Sequence, residues 1–166
     1  KSRSLSSYEN RSYPLAGNPK SLVILVEFAD VKFTIPNPKH DFERLLNEKD
    51  YAENGATGSA RDYFRDNSMG VFEPEFKVAG PYQVSRNAGY YGKDGGGPGN
   101  DEHPEEMIKG ACALAAVDID FGEFDTDLDG KIDNVFVFYA GYNQAEGAPT
   151  ETIWPHRWYL NESFYI

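Results

Sequence analysis

The feature that most constrains the fold is an uninterrupted apolar run in the stretch SLVILVEFAD. The run covers residues 22–26 and has polar neighbours on both sides. Consecutive apolar residues without alternation are typical of a strand buried on both faces, because an exposed face places polar residues at every second position. Such a strand lies inside a sheet that is covered above and below. The sequence therefore predicts a fold of the α/β or α+β class.

Helix signals follow this run at three places. Asn37 and Pro38 supply an N-cap and the first residue of one helix. Ser59 caps a second helix, which Gly70 ends. A third helix is expected over residues 104–117, with a proline at its first position. Its predicted buried residues are Met107, Ala111, Leu114 and Ala115, and the first three would cover one face of the sheet.

Two more strands are predicted, and they differ in pattern. FEPEFKV, residues 72–78, alternates apolar with polar residues and contains Pro74, which favours an edge position. NVFVFYA, residues 134–140, is apolar on both faces. This second segment is therefore predicted to be an interior strand, like residues 22–26.

The stretch FDTDLDGKIDN, residues 124–134, places carboxylates at alternate positions and then a glycine. Counted from Asp125, the carboxylates occupy positions 1, 3, 5 and 9, and Gly130 stands at position 6, where an EF-hand calcium loop turns sharply. Position 7 offers a backbone carbonyl. Close carboxylates repel one another unless a cation lies between them. The predicted calcium ligands are Asp125, Asp127, Asp129, Lys131 and Asp133.

This loop departs from an EF-hand at its end. Position 12 is Phe136 rather than Glu, and a strand follows instead of a helix, so Asp133 must supply the closing carboxylate. The alternatives to calcium are a solvated polar turn and a magnesium site. A plain turn gains nothing from converging carboxylates, and magnesium retains its waters and requires stricter geometry. Calcium is therefore the preferred interpretation.

Composition limits the remaining function classes. The 166 residues suffice for one domain or a part of one, and 40% of them are hydrophobic, so a disordered chain is excluded. The formal net charge of −11 argues against nucleic acid as a partner, because phosphates require stripes of Lys and Arg. No apolar run approaches the ~18 residues of a membrane span.

Histidine and cysteine give no local catalytic signature. The histidines are His40, His103 and His156, and no H-E-x-x-H motif occurs. His103 and Glu106 are spaced to share a helical face, although a histidine at a helix start beside dipole-satisfying acids is the simpler interpretation. His156 lies between two tryptophans, as a structural residue or beside a cleft. Cys112 is predicted to be a small buried residue.

Six stretches of the chain, in order, resemble the immune inhibitor A-type secreted zinc metallopeptidases. They are LVILVEFAD, ARDYFRDNSMGVFEPEFKVAGPYQVS, YYGKD, EEMIKGACALAAVDIDF, FDTDLDGKIDNVFVFYAG and IWPHRW. The second stretch has the order of a helix end, a strand and a Gly-Pro turn. The similarity covers about residues 22–158. One such stretch is weak evidence, whereas six in the family's order are specific.

This resemblance implies a zincin-like domain with a mixed twisted sheet, helices and a cleft. It also implies an H-E-x-x-H helix that holds zinc, with Glu as general base. In the family that helix follows the stretch matching IWPHRW. The chain is therefore expected to be the N-terminal part of the catalytic domain, with zinc bound by the full-length parent and by no residue here. No catalytic residue is assigned. The calcium loop carries over, as do Trp154 and His156 as cleft-side structure.

The resemblance further implies a domain organisation and a function. Residues 1–20 are expected to be a linker or arm after a propeptide, and residues 21–166 the N-terminal part of a metallopeptidase catalytic domain. The expected parent is a secreted or cell-surface zinc endopeptidase with a structural calcium site, acting on protein or peptide substrates. The alternatives are a non-catalytic, calcium-stabilised extracellular binding module on the same scaffold, and an interaction domain whose acidic loop is solvated.

Overall fold

The computed structural model describes residues 13–97, 100–157 and 160. Strands and helices alternate along these residues, and the predicted α/β class is confirmed. The elements in chain order are strand β1 (Lys20–Glu27), helices α1 (Pro38–Asn47) and α2 (Ala60–Asn67), strand β2 (Glu75–Gln83), helices α3 (Ala88–Gly92) and α4 (Pro104–Ala115), and strand β3 (Val135–Tyr139). Short 3₁₀ turns occupy Glu53–Gly55, Phe121–Phe124 and Gln144–Glu146.

The three strands form one parallel sheet, in which β1 lies between β2 and β3. The N–H of Glu75 donates to the carbonyl of Pro19, and the N–H of Val84 donates to the carbonyl of Glu27, so β1 and β2 advance in the same direction. Residues 22–26 of β1 have no exposed surface. A central parallel strand needs apolar side chains on both faces, because both faces are covered. The prediction for β1 is confirmed.

Strand β2 lies at one edge of the sheet that the described residues form, as its alternation and Pro74 predict. A side chain satisfies part of its backbone: Asn47 Nδ2 donates to the Phe76 carbonyl at 2.9 Å, and Asn47 Oδ1 accepts from the Phe76 N–H at 2.8 Å. These bonds replace those of a neighbouring strand at this residue. Gly80–Pro81, expected in a turn, lies inside β2. An edge strand tolerates proline because not every N–H in it has a strand partner.

Strand β3 lies at the opposite edge of the sheet that the described residues form, so the prediction of an interior position is wrong there. Phe136 and Phe138 are each 37% exposed, while Val135, Val137 and Tyr139 are half-buried. The sequence is apolar on both faces, but the faces differ in burial. An apolar run indicates that other elements can pack on both faces of a strand. It does not indicate whether a neighbouring strand is hydrogen-bonded on each side.

The chain divides into two compact units. Unit 1 comprises Lys1–Leu22, Phe42–Lys77 and Asp120–Phe136, and unit 2 comprises Val23–Asp41, Val78–Ile119 and Val137–Ile166. Most of the predicted arm, residues 1–12, lies outside the described residues. Within unit 1, the Gly17 N–H donates to the Val71 carbonyl at 2.8 Å. The boundary between arm and domain at residue 20 stays a prediction.

Helices α1 and α2 begin where the sequence predicts. Helix α1 starts at Pro38. Helix α2 follows a capping box, in which the Asp62 N–H donates to Ser59 Oγ at 3.2 Å and the Ser59 N–H donates to Asp62 Oδ2 at 3.1 Å. The same Asp62 oxygen accepts from the Asp50 N–H at 2.8 Å. Asp62 is 5% exposed, and its carboxylate thus ties a loop to a helix start.

We expect Asp62→Asn to lower the free energy of unfolding at pH 7 by about 1–3 kcal/mol, because the charge-assisted bonds from the buried Ser59 N–H and the partly buried Asp50 N–H weaken. Backbone hydrogen bonds from Ser59 and Asp50, with the Arg65 charge, lower the pKa of Asp62. A carboxyl group with a lowered folded pKa stabilises above its unfolded pKa, and this contribution disappears as pH falls through the folded value. The difference between wild type and variant in urea denaturation should therefore shrink below about pH 4.

The matched control is Asp66→Asn, in the same helix, where the side chain is 69% exposed. This variant should change the midpoint of unfolding little at either pH. An Asp62→Asn deficit that stays constant down to pH 2 would contradict the assigned role of the charge.

Helix α4 begins at Pro104 as predicted and ends at Ala115, two residues before the expected end. Met107, Ala111 and Ala115 are buried as predicted, but Leu114 is 40% exposed. The buried residues of the helix are Met107, Ala111, Cys112 and Ala115. Cys112, rather than Leu114, is therefore the fourth member of the buried face. None of the helices in the described part of the chain has the length and apolar character needed to cross a bilayer.

Cys112 is buried, as predicted. Desolvation raises the pKa of its thiol to about 11. A thiol that stays protonated at neutral pH is a poor nucleophile and a poor metal ligand. Cys112 thus acts as a small apolar residue.

Candidate metal centre

The acidic loop is anchored to unit 1 at its first residue. Phe124 is the last residue of the 3₁₀ turn Phe121–Phe124 and is 1% exposed, so its ring lies in the core immediately before the first carboxylate. The Phe124 carbonyl accepts the N–H of Asp133 at 3.0 Å. This bond joins the two ends of the loop. The carboxylates between them therefore lie in a closed turn.

A second anchor is Glu123, which lies between two lysines. Its Oε2 is 2.9 Å from Lys20 Nζ and its Oε1 is 3.0 Å from Lys77 Nζ. Hydrogen bonds from Lys20 and then Lys77, reinforced by their charges, lower the pKa of Glu123. These groups are partly exposed, so each pair alone contributes little to stability. Together they connect the start of the acidic loop to residues at the starts of β1 and β2.

Three of the predicted ligands come together. Asp125, Asp127 and Asp133 each present a carboxylate oxygen, and these oxygens lie within 4.8 Å of one another. Both oxygens of Asp125 accept backbone N–H groups, from Asp129 at 3.0 Å and from Gly130 at 2.9 Å. Gly130 has φ of +84°, which supplies the predicted sharp turn without the cost of a Cβ.

Two further hydrogen bonds fix the last carboxylate of the loop. Asp133 Oδ2 accepts the N–H of Thr126 at 3.2 Å and also the Thr126 hydroxyl. Thr126 follows the first carboxylate in sequence, so these bonds draw the end of the loop back over its beginning. The arrangement is held by backbone donors and one hydroxyl.

The remaining two predicted ligands are placed differently. Asp129 is not in the group of three, because its Oδ1 accepts the N–H of Lys131 at 2.9 Å. That bond brings Lys131 into the turn through its N–H. The predicted set of Asp125, Asp127, Asp129, Lys131 and Asp133 is thus assembled in part, and its function as a ligand set stays a prediction.

The electrostatics of the loop favour a cation. Desolvation, and then the charges of Asp129, Asp133 and Asp125, raise the pKa of Asp127. A raised carboxyl pKa means that the folded loop resists the ionised form. A bound cation would reverse that preference. Carboxylate oxygens in a turn of this kind are ligands suited to a hard divalent ion such as calcium, and they are poorly suited to zinc, which prefers His and Cys in structural sites.

Each histidine in the described residues has a local contact. His40 Nδ1 is 3.3 Å from Asp41 Oδ1, and His156 Nδ1 is 2.6 Å from the Trp154 carbonyl. The sequence has no H-E-x-x-H motif, and the only close group of three potential ligands in the described ranges is the carboxylate group. Within the described ranges the histidines therefore belong to no group of three potential ligands.

The third histidine, His103, precedes helix α4. Its ring stacks on Tyr90 with centroids 4.3 Å apart, and its Nδ1 lies 3.3 Å from Glu106 Oε1. These contacts agree with the interpretation of a histidine at a helix start beside an acid.

Sequence reasoning missed the groups that hold the loop. Phe124 could have been found, since Phe121 and Phe124 stand three residues apart immediately before the acidic run. The pairing of Glu123 with Lys20 and Lys77 could not, because the partners are 103 and 46 residues away in sequence. Contacts of that separation depend on the packing of the whole unit.

Comparison with known proteins identifies the family. The profile of the family described as "Immune inhibitor A peptidase M6, catalytic domain" matches residues 14–165. The chain is also similar to the "Pre-pro-metalloprotease PrtV" of Vibrio cholerae serotype O1, in strains M66-2 and ATCC 39315 / El Tor Inaba N16961, with 27% identity over 156 residues in each case. These alignments cover 81% of this chain and 17% of each relative, so the chain spans about a sixth of the relatives' length. The resemblance seen in the sequence is confirmed, and the chain belongs to the immune inhibitor A peptidase M6 catalytic domain family.

Proposed function

We propose that this chain is the N-terminal part of the catalytic domain of a secreted or cell-surface zinc-dependent endopeptidase. The observation that carries the proposal is the match of a peptidase catalytic-domain family to residues 14–165. The similarity to proteins named as pre-pro-metalloproteases supports it. The substrates proposed for the parent protein are proteins or peptides.

We further propose that the acidic loop binds calcium with a structural role. The ligands are Asp125, Asp127, Asp129 and Asp133, with the carbonyl of Lys131. Support comes from the three carboxylates within 4.8 Å and from the raised pKa of Asp127. The loop connects the buried Phe124 to β3, so a bound ion would fix the angle at which that strand leaves the loop.

Zinc belongs to the parent protein in this proposal. When bound it would supply a Lewis acid and an activated water for peptide hydrolysis. The sequence has no H-E-x-x-H motif, and its histidines do not form a ligand group in the described residues. The contribution of this chain is therefore to build and stabilise a sheet and its loops. No catalytic step is assigned to its side chains.

A non-catalytic, calcium-stabilised binding module on the same scaffold is the second candidate. The observation that favours it is the group of three carboxylates, because a calcium site would stabilise this scaffold whether or not the parent protein is catalytic. The candidates differ in what the parent protein does. Chelator-sensitive proteolysis by the parent, restored by zinc, supports the peptidase, and a parent that binds calcium but cleaves no protein supports the module.

We expect the purified 166-residue chain to hydrolyse no unfolded protein substrate, with or without added zinc. The reason is that no described histidine belongs to a group of three ligands. The measurement is release of fluorescent peptides from labelled casein over several hours. Zinc-dependent hydrolysis that is lost in His103→Ala or His156→Ala would show that the chain holds an active site of its own.

A further inference from the structure

Unit 2 contains a cavity of about 430 Å³ beside the end of β3. Pockets of this volume accept a ligand group of side-chain size or larger. The wall is formed largely by apolar side chains and backbone. Its main residues are Phe28, Val31, Tyr139, Ala140, Ala148 and Ile153.

Most polar groups in this wall are already bonded within the protein. The Tyr139 hydroxyl donates to the Ile153 carbonyl at 3.0 Å, and the Thr152 hydroxyl donates to the Pro149 carbonyl at 2.7 Å. A ligand entering the cavity therefore meets an apolar surface. The walls favour an aliphatic or aromatic group, because burial of apolar surface would be the main source of binding free energy.

Among the described residues, Glu146 is the one charged residue that lines the cavity. Its position is fixed by Asn143, whose Oδ1 accepts the Glu146 N–H at 3.0 Å and whose Nδ2 donates to Glu146 Oε2 at 2.8 Å. Gly147, with φ of +88°, ends this 3₁₀ turn. The exposed carboxylate is thus held at the rim by a turn that forms locally.

Two carboxylates, those of Asp101 and Glu146, act on the Tyr139 side of the cavity. Burial raises the pKa of Tyr139 to about 12, and the charges of Asp101 and Glu146 add to this shift. In the part of the chain that the structure describes, no lysine or arginine lines the cavity. A cationic group at the rim would therefore be attracted, and an anionic group would be repelled.

We infer that this cavity binds the long basic side chain, Lys or Arg, of a peptide, with the aliphatic stem against the apolar wall and the cation at Glu146. Side chains of this kind bury their stems while the charge stays near water. The inference rests on the proposed peptidase role, because it makes the cavity a subsite for a protein substrate. A neutral aliphatic side chain would contact the same wall but would leave the carboxylate without a cation.

The test uses the 166-residue chain and three blocked tripeptides, Ac-Gly-Xaa-Gly-NH2, with arginine, norleucine or glutamate at the centre. Dissociation constants come from amide chemical shifts, and Ala140, Gly141 and Gly147 report on the cavity. We expect the arginine peptide to bind about threefold to fivefold more tightly than the norleucine peptide, as for a partly exposed ion pair. The glutamate peptide should bind more weakly than either. Equal affinities for the three peptides, or shifts confined to other residues, would overturn the inference.

Two variants distinguish the contribution of the Glu146 charge to peptide binding from that of the apolar wall. Glu146→Gln should remove the preference for arginine and leave norleucine binding unchanged, whereas Glu151→Gln, an exposed acid on the same loop that does not line the cavity, should keep the preference. Ala148→Phe should fill the cavity and weaken both peptides. A preference for arginine that persists in Glu146→Gln would contradict the role of the carboxylate.

These results are independent of the peptidase assignment. Binding is measured on the chain without any hydrolysis, so a failure to bind the peptides leaves the family assignment and the calcium proposal intact. A parent protein that cleaves nothing leaves the peptide affinities unchanged.

Discussion

Calcium at a hundredfold excess over its dissociation constant should raise the free energy of unfolding of the chain by about 2.7 kcal/mol. For a chain of this size that corresponds to a rise in Tm of roughly 5–10 °C. Only the folded loop brings Asp125, Asp127 and Asp133 together, so an ion that needs all three binds the folded state selectively. The measurement is calorimetric unfolding of chelator-treated protein across a calcium titration. Magnesium at the same concentrations should give a smaller shift.

The variant Asp127→Ala tests whether Asp127 binds calcium or only supports the folded loop. Without calcium this variant should unfold at the wild-type temperature or slightly above it, because removing the Asp127 carboxylate ends both its desolvation and its repulsion by the neighbouring carboxylates, the causes of its raised pKa. With calcium it should lose most of the rise in Tm. Asp129→Ala tests the fourth carboxylate in the same way, and Asp66→Ala, in unit 1 but outside the loop, should retain the full shift. If millimolar calcium did not change the Tm of the wild-type protein, the proposed calcium site would be refuted.

The parts of the fold that follow from local chemistry could be predicted from the sequence. Residues 22–26 were predicted as a buried strand because no polar residue interrupts them, and Ser59 with Asp62 forms its capping box from residues three apart. The edge position of β3 could not be predicted in this way. Its partner is β1, more than a hundred residues earlier, and pairing on one side or on both leaves the same apolar pattern.

In the candidate metal centre, too, only the features that depend on local sequence could be predicted. The convergence of Asp125, Asp127 and Asp133 could be predicted from their spacing, because a tight turn brings alternate residues to one point. The side-chain direction of Asp129 was not, since it depends on a competing bond to the Lys131 N–H. The cavity beside Glu146 could not be foreseen at all, because segments from residue 28 to residue 153 contribute to its wall.

Phe124→Ala should lower the free energy of unfolding by about 3–5 kcal/mol, the cost typical of removing a buried ring and leaving a cavity. Domains of this kind have a total stability of about 5–15 kcal/mol, so the loss would be a large fraction of it. The Phe124 ring is 1% exposed, and Lys77 Nζ lies 5.9 Å from its centroid. The measurement is urea denaturation at pH 7, with the midpoint and the slope both recorded.

Phe121→Ala is the matched control, since Phe121 belongs to the same 3₁₀ turn but is only half-buried. Phe124→Leu should cost less than the alanine variant, because leucine refills most of the space. The backbone bond from Asp133 to the Phe124 carbonyl is available to all three variants, so a difference among them reports side-chain packing. Since that packing positions the start of the acidic loop, Phe124→Ala should also weaken calcium binding, measured well below its own Tm, while Phe121→Ala should not. Equal losses of stability in Phe124→Ala and Phe121→Ala, with unchanged calcium affinity in both, would show that the loop is held by its own hydrogen bonds and not by the core.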